Sequence, residues 1–431
     1  MNSSADLLAR MKRHLAPSLA RDWPNLPVAE ARGSELVTVD GQRYLDFTSG
    51  MAVTNVGHNH PEVVSAARRQ LGQLIHGAVG VVVFESLVNL AEQLPGIMPG
   101  GKDMFFFAVS GSDAVEGSLK LARHVTGRPG ILAFTGGFHG RTLGAVAITT
   151  SKPKYRARYE PLMSGVYLAP FAYCYRCPYY QEPARCSLEC VEGVKRLLRQ
   201  VVLPSEIAAM VVEPILGEGG YVVPPHGFLA GLREICDEHG ILLIFDEIQT
   251  GFGRTGDWFA SQTFGVTPDI LAVAKSIASG FPLSAVCASR ELMDRWPPGA
   301  HGTTFGGNAV AAAAAVATLA VMQRERLPQR AGEVGGRALQ RLRALAARSE
   351  FIGDVRGAGL MIGLEFVEPG RDRHPNGACA WKVRKRCLEQ GLLLYGCGLE
   401  EHVIRFIPPL TVSESELDQG LDILERAVLA P

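Results

Sequence analysis

Residues 241–246 read ILLIFD, an uninterrupted apolar run that ends in an aspartate, and two other stretches have the same form. They are AMVVE at residues 209–213 and ILAVAK at residues 270–275. Continuous apolar runs of this length are typical of strands that are buried on both faces of a parallel sheet. A helical pattern over residues 228–238 lies between the runs at residues 209–213 and 241–246. The pattern therefore predicts successive strand–helix–strand units.

Each of these runs ends in a charged residue, namely Glu213, Asp246 and Lys275. Singly, each is an ordinary charge at a strand end. Because ligands bind at the carboxyl ends of strands in open parallel sheets, three in successive units favour one shared site. Lys275 stands in an apolar stretch, which lowers the pKa of an ammonium and favours a nucleophilic amine for a carbonyl cofactor. Asp246 follows five apolar residues and needs a cationic or donating partner.

The chain ends have a different character, with strand-like segments and turns instead of strand–helix alternation. We expect a hairpin around Asp40-Gly41, and a capping box over residues 413–416 that starts a closing helix. The further segments that we interpret as strands are residues 361–366, 392–395 and 403–407. We therefore expect an α/β fold. Residues 61–320 form a large domain with a mostly parallel sheet, and residues 1–60 and 321–431 form a smaller α+β domain.

The bulk composition argues for a small-molecule ligand. Lys plus Arg and Asp plus Glu both number 43, so no net charge draws the 431-residue chain to nucleic acid or to an anionic membrane. The longest apolar run, Ala309–Met322, is shorter than the ~20 residues of a membrane span and predicts a buried helix. The first residues lack the pattern of a secretory signal. We expect a soluble, cytoplasmic protein without nucleic-acid or membrane partners.

Four of the nine cysteines form a cluster in sequence, Cys174, Cys177, Cys186 and Cys190. Their C-x2-C…C-x3-C spacing suits a tetrahedral zinc site, but it equally suits a surface insertion without metal. We expect no metal in the site itself, and the role of the cluster stays open at this stage.

Residues 251–256 fit the pattern G-x-G-x-x-G, which often marks a dinucleotide site. Five residues separate these glycines from the preceding strand, and no acidic residue lies at the expected distance of ~20 residues within a strand–helix–strand unit. The motif therefore does not predict a nicotinamide cofactor.

Six short motifs follow one another along the chain, and their order is informative. They are Ser110-Gly111-Ser112-Asp113-Ala114-Val115-Glu116, Phe138-His139-Gly140-Arg141-Thr142, Val212-Glu213-Pro214, Asp246-Glu247-Ile248-Gln249-Thr250-Gly251, Ala274-Lys275-Ser276 and Thr304-Phe305-Gly306-Gly307-Asn308. From about residue 33 to its end, the chain resembles the class III, or 4-aminobutyrate-type, aminotransferases of pyridoxal-phosphate fold type I. The resemblance implies a large domain built on a seven-stranded sheet flanked by helices.

The resemblance also implies pyridoxal 5′-phosphate as the cofactor. Lys275 would form the Schiff base and carry the proton, and Asp246 would bind the pyridinium nitrogen, which favours an electron-accepting ring. The other implied cofactor contacts are Ser110, Gly111 and Ser112 at the phosphate, Phe138 stacked on the ring with His139 beside it, Gln249 at the phenolic oxygen, and Thr304 at the phosphate of the neighbouring subunit. Thr304 thus implies a homodimer with shared active sites, or a higher oligomer that contains it.

Four further residues are implied in substrate binding. Arg405 resembles the arginine that binds a substrate carboxylate, a task that suits its planar guanidinium. Glu213 would pair with Arg405 when the substrate has no carboxylate there. Arg141 would bind a second carboxylate, and Met51 would face the substrate.

We interpret the chain as a ping-pong aminotransferase that forms an internal aldimine on Lys275. It would move an amino group from an ω-amino acid, amine or amino acid to a keto acid such as pyruvate or 2-oxoglutarate. An amino-acid racemase or epimerase on the same scaffold stays open, because the cysteine insertion resembles a subgroup that contains both activities. A non-catalytic pyridoxal-phosphate-binding regulator is a remote alternative, since no helix-turn-helix pattern or basic excess precedes the matched region.

Overall fold

The structure, a computed structural model, describes residues 3–19 and 24–430. Its strands are β1 Val28–Arg32, β2 Glu35–Thr38, β3 Arg43–Asp46, β4 Met104–Ala108, β5 Gly130–Phe134, β6 Val166–Ala169, β7 Ile207–Val212, β8 Leu242–Asp246, β9 Ile270–Val273, β10 Ser284–Ala288, β11 Ile352–Ala358, β12 Met361–Phe366, β13 Leu392–Leu393, β14 Tyr395–Cys397 and β15 Val403–Phe406. Its helices are α1 Ser4–His14, α2 Ser49–Ala52, α3 Pro61–Leu71, α4 Glu85–Gln93, α5 Gly111–Thr126, α6 Leu143–Ala147, α7 Glu189–Gln200, α8 Phe228–His239, α9 Ala260–Thr263, α10 Arg290–Met293, α11 Ala309–Arg324, α12 Leu327–Ala346, α13 Gly377–Glu389 and α14 Glu414–Leu429.

A seven-stranded sheet in the order β4-β10-β9-β8-β7-β5-β6 forms the centre of the fold. Strand β10 runs antiparallel to both of its neighbours, and the remaining pairs are parallel. Every residue of β5, β7, β9 and β10 is buried, as expected for strands covered on both faces. The prediction of an α/β fold with a mostly parallel, seven-stranded sheet is confirmed.

The three runs that suggested this fold are adjacent strands of the central sheet. Val212 of β7 lies opposite Phe245 of β8, and Asp246 lies opposite Ala272 of β9. The register aligns the carboxyl ends of the three strands. The residues that follow these ends therefore start from one edge of the sheet.

Two smaller sheets are built from the chain ends. Strands β1, β2, β3 and β13 form one of them, so that an early and a late part of the chain share a sheet. Strands β11, β12, β15 and β14 form the other, which is antiparallel. The predicted hairpin is the antiparallel pair β2–β3, and the predicted capping box at Ser413 begins α14. The domain limits at residues 60 and 320 stay a prediction.

One predicted strand differs in detail. Residues 392–395 do not form a single strand, because Leu394 separates β13 from β14 and the two belong to different sheets. The local apolar pattern is the same on both sides of Leu394. Only the tertiary partners, β3 on one side and β15 on the other, distinguish the two halves.

The predicted buried helix is α11, which packs against α3 and α4. Most of its alanines are buried, and Asn308 caps its first turn by accepting hydrogen bonds from the amides of Val310 and Ala311. Within residues 3–19 and 24–430, no helix combines the length and the apolar character needed to cross a bilayer.

Two adjacent glycines of α12 offer a matched test of the packing between α12 and the turn before β12. A β-carbon on Gly335 would overlap the backbone carbonyl of Gly359, whereas one on Gly336 would meet open space. Gly335→Ala is expected to lower the free energy of unfolding by about 1–3 kcal/mol, because the backbone must shift. Gly336→Ala is expected to raise it by about 0.5–1 kcal/mol, because alanine favours the helix. Denaturant unfolding of both variants measures this, and equal effects would contradict the described packing.

Candidate active site

A cavity of ≈330 Å³ opens at the carboxyl ends of β7, β8 and β9. This volume is within the range of small-molecule and cofactor sites. The cavity is lined by Val53, Val109, Ser110, Gly111, Ser112, Phe138, His139, Gly140, Arg141, Glu213, Asp246, Ile248, Gln249, Ala274, Lys275, Gly280, Phe281, Pro282 and Leu283. Most of the residues that we predicted to hold a cofactor therefore share one cavity.

Lys275 follows Ala274, the first residue after β9. It adopts a left-handed backbone conformation with φ of 46°. A non-glycine residue in this region carries strain, which is common at functional sites. Its side chain is half-buried because it faces the cavity. Desolvation lowers the pKa of Lys275, although the charges of Asp246 and Glu213 oppose this shift. This shift favours the unprotonated, nucleophilic form of the amine.

Asp246, the last residue of β8, is held by two hydrogen bonds. Its Oδ2 lies 2.7 Å from Nδ1 of His139, and its Oδ1 accepts a hydrogen bond from the amide of Ile248 at 3.1 Å. His139 is buried, which disfavours its charged form, but the hydrogen bond with Asp246 and the charge of Asp246 outweigh burial and raise its pKa. The pair keeps a carboxylate at the cavity wall with lone pairs left for a further donor.

The amino end of α5 also borders the cavity. Ser110 caps this helix, since its hydroxyl accepts the amide hydrogen of Asp113 and the Asp113 carboxylate accepts the amide hydrogen of Ser110. The amides of Gly111 and Ser112 belong to the first turn of the helix, where N–H groups have no acceptor within the helix. Such a turn can bind a phosphate through its N–H groups and the helix dipole.

Gln249 and Phe138 lie in the walls of the cavity. Tyr221 donates a hydrogen bond to Oε1 of Gln249 at 2.7 Å, which leaves the amide N–H groups of Gln249 as donors for a ligand. The Phe138 ring packs edge-on against Tyr155, and the guanidinium of Arg141 lies over Tyr155 at 3.9 Å from its centroid. Arg141 is exposed, so its charge is open to an incoming anion.

Glu213 does not pair with Arg405, and that part of our prediction is wrong. Its carboxylate accepts hydrogen bonds from the amides of Phe138 at 2.8 Å and Gly217 at 2.9 Å. Burial raises the pKa of Glu213 to about 7, against the effects of His139 and of these amides. Glu213 follows β7 directly. Its carboxylate connects two loops through these hydrogen bonds and does not contact Arg405.

The partner of Arg405 is Glu218, five residues further along the chain. Nη2 of the buried Arg405 forms an ion pair with Oε2 of Glu218 and also donates to the carbonyl of Gly396 at 2.9 Å. Oε1 of Glu218 accepts hydrogen bonds from Lys152 at 2.8 Å and from the Tyr155 hydroxyl at 2.7 Å. Burial tends to raise the pKa of Glu218, but Arg405 and Lys152 outweigh it and lower the pKa to about 2. Glu218 is therefore ionised at neutral pH.

Two other predicted residues lie outside the cavity lining. Met51 belongs to a left-handed segment that is fixed at both ends, because Ser49 donates to the carbonyl of Ile407 at 2.7 Å and Ser276 donates to that of Ala52 at 2.9 Å. Val53, which follows this segment, lines the cavity. Thr304 is exposed and does not line the cavity of its own chain.

The described residues include all nine cysteines, and each of them is a free thiol. Cys186 donates to the carboxylate of Glu189 at 3.0 Å. Over residues 3–19 and 24–430, no three His, Cys, Asp or Glu side chains are arranged to bind a metal ion.

The sequence analysis missed Glu218, Lys152 and Tyr155. A weak signal was present for Glu218, since a carboxylate among three glycines in Gly217-Glu218-Gly219-Gly220 indicates a tight loop that carries one functional side chain. No local signal marks Lys152 and Tyr155, because their partner is 66 and 63 residues away in sequence.

Comparisons with known proteins agree with this geometry. Residues 18–428 match the family model described as aminotransferase class-III. The chain is 41% identical over 399 residues to the 5-aminovalerate aminotransferase of Pseudomonas aeruginosa, with 92% of each chain covered. It is also 40% identical over 424 residues to the leucine/methionine racemase of Thermococcus litoralis, with coverage of 98% of this chain and 95% of the racemase.

A solved structure with a bound cofactor is also similar. It is an amine transaminase from an uncultivated Pseudomonas species in the pyridoxal-phosphate-bound, internal aldimine form. The two structures superpose with a TM-score of 0.88 at 33% sequence identity, and the match covers 96% of this chain and 97% of the other.

The raised pKa of Glu213 predicts a pH-dependent stability. An unfolded chain ionises this carboxyl near pH 4.5, whereas the folded chain holds its proton until the pH approaches about 7. The stability that neutral Glu213 contributes is thus complete below pH 4.5 and is lost as the pH rises through about 7. In thermal unfolding of the apoprotein, the melting temperature of the wild type relative to Glu213→Gln should fall between about pH 5 and pH 8. Parallel pH profiles would contradict this assignment.

Proposed function

Because this chain belongs to the class III aminotransferases, which are pyridoxal-phosphate-dependent enzymes, we propose that it transfers the amino group of an ω-amino acid to a dicarboxylic keto acid. The observation that carries this proposal is the buried pair of Arg405 and Glu218, whose charges both act on Lys275. A pair of this kind can serve substrates with and without a carboxylate at the reacting carbon. The similarity to an enzyme named for 5-aminovalerate supports the donor class.

The residues around the cavity fit the cofactor. When bound, pyridoxal phosphate supplies an aldehyde and an electron-accepting ring. We propose that Lys275 anchors it and carries the proton between substrate and cofactor, since its pKa is lowered and it faces the cavity. Asp246, fixed by His139, would hold the ring N–H. The other contacts proposed are Ser110, Gly111 and Ser112 at the phosphate, Phe138 on the ring and Gln249 at the phenolic oxygen.

The pair of Arg405 and Glu218 would act as an exchangeable carboxylate site. Breaking a buried ion pair by removing one partner costs about 3–5 kcal/mol, so Arg405 needs an anion in both halves of the reaction. With an ω-amino acid, whose reacting carbon bears no carboxylate, Glu218 would stay on Arg405. With 2-oxoglutarate, the carboxylate beside the keto group would replace Glu218. The exposed Arg141 would bind the distal carboxylate in either case, and Met51 would lie near the substrate.

We further propose that the active unit is a homodimer, alone or within a higher oligomer. Val81, Val83 and Phe305 are exposed large apolar side chains, which favour burial against a second copy. Thr304, beside Phe305, is exposed and outside its own cavity, so it is free to reach the phosphate of the neighbouring subunit. A cytoplasmic location stays a prediction.

A racemase is the second candidate, because a relative that is 40% identical carries that name. Racemisation returns the proton to the opposite face of the same carbon and consumes no keto acid. It requires a second acid–base group or a mobile Lys275. The two candidates therefore differ in whether the amino group leaves the substrate.

A half-reaction separates the two candidates. With 5-aminovalerate and no keto acid, we expect the visible absorbance of the lysine-bound cofactor to disappear as one equivalent of amino group per site is transferred. Addition of 2-oxoglutarate should restore the absorbance and release glutamate. If the absorbance persists while L-leucine or L-methionine loses its optical rotation, the racemase candidate is correct instead.

A hybrid dimer tests whether Thr304 serves the neighbouring subunit. The hybrid contains one Lys275→Ala chain and one Thr304→Ala chain. If Thr304 acts across the interface, one of the two sites of the hybrid contains both Lys275 and Thr304. We expect that site to bind the cofactor with wild-type affinity. Titration of the purified hybrid with pyridoxal phosphate measures this affinity, with each homodimeric variant as a control. A hybrid that binds no better than the Thr304→Ala homodimer would place Thr304 in its own site.

A further inference from the structure

Lys152 lies on the opposite side of the Glu218 carboxylate from Arg405. Its ammonium is 2.8 Å from Oε1 of Glu218 and 2.5 Å from Oε1 of Glu401, and its side chain is only 4% exposed. The hydroxyl of Tyr155 donates to the same oxygen of Glu218. The two oxygens of Glu218 are thus held by different partners, Oε2 by Arg405 and Oε1 by Lys152 and Tyr155.

This division matters when Glu218 gives up Arg405. A buried carboxylate that loses its only cation is costly, which would oppose any substrate that competes for Arg405. Glu218 does not face this cost, because Lys152 and Tyr155 remain on Oε1 while Oε2 is released. The carboxylate can therefore turn away from Arg405 without leaving its second cation.

The charges of the cluster lead to the same conclusion. The cations Lys152, Arg384 and Arg405 face the carboxylates Glu218 and Glu401, so the cluster has one positive charge more than its carboxylates neutralise. One substrate carboxylate balances this excess. Without Lys152 the cluster would already be neutral, and a bound carboxylate would leave a net negative charge in a buried site.

We propose that Lys152 is a positioning residue that retains Glu218 after its release from Arg405 and thereby selects for acceptors whose carboxylate binds Arg405. This inference rests on the proposed carboxylate exchange at Arg405. It assigns to Lys152 an effect on one half of the reaction only. A purely structural ion pair would affect both halves, or neither.

The test compares Lys152→Met with Lys152→Arg and with Lys154→Met, a control at an exposed lysine near the same Tyr155 ring. Lys152→Met should raise the KM for 2-oxoglutarate by at least about 30-fold, which corresponds to the loss of one buried charge partner. Its half-reaction with 5-aminovalerate should stay within about twofold of the wild type. Lys152→Arg should restore most of the acceptor affinity, and Lys154→Met should change neither half. An equal fall in both halves, or no change in either, would overturn the inference.

The Glu218→Gln background tests whether Lys152 acts through Glu218. With a neutral side chain there is no carboxylate to retain, so adding Lys152→Met should raise the KM for 2-oxoglutarate no further. A further rise would mean that Lys152 binds the substrate itself, which contradicts the inference.

Arg405→Met separates this inference from the proposed function. If Arg405→Met leaves the KM for 2-oxoglutarate unchanged, the proposed carboxylate site is wrong and the inference falls with it. If Arg405→Met raises that KM while Lys152→Met does not, only the inference is wrong. Thermal unfolding of each variant verifies that it is folded before its kinetics are compared.

Discussion

The whole site depends on one electrostatic constraint, which is that Lys275, Asp246 and Glu213 border the same desolvated cavity. The register of β7, β8 and β9 brings their carboxyl ends together, so a lysine and two carboxyl groups share one desolvated cavity. The three respond differently. The pKa of Lys275 falls, that of Glu213 rises to about 7, and Asp246 is held by His139 and by a backbone amide. The lowered pKa of Lys275 favours a nucleophilic amine in this cavity.

The proposed carboxylate exchange depends on burial in the same way. Arg405 is only 3% exposed, and it therefore needs an anionic partner. Glu218 supplies that anion from a glycine-rich loop, and its other oxygen is anchored to Lys152 and Tyr155. In the proposed exchange, Glu218 can release Arg405 because Lys152 and Tyr155 hold its other oxygen. Lys152 and Tyr155 precede β6 of the central sheet, whereas Arg405 belongs to β15 of a smaller sheet. Both parts of the fold therefore contribute charges to this site.

The sequence was sufficient for the sheet and for the residues at its edge, because continuous apolar runs and their terminal charges are local signals. Lys275, Asp246, Gln249 and the amino end of α5, which were predicted at one site, line one cavity, and their roles stay predictions. The prediction from sequence was wrong where a side-chain contact depended on the direction of a loop. Glu213 and Glu218 lie five positions apart in the sequence, and only the path of the loop between them decides which carboxylate reaches Arg405. The division of residues 392–397 between two sheets has the same origin.

The proposed role of Lys275 as the covalent anchor of the cofactor can be tested directly. Reduction of the purified holoenzyme with borohydride makes the bond between lysine and cofactor permanent, and peptide mass spectrometry then locates it. We expect a single reduced phosphopyridoxyl group on Lys275, which disappears when the enzyme is treated with the amino donor before reduction. Modification of another lysine, or of none, would contradict it.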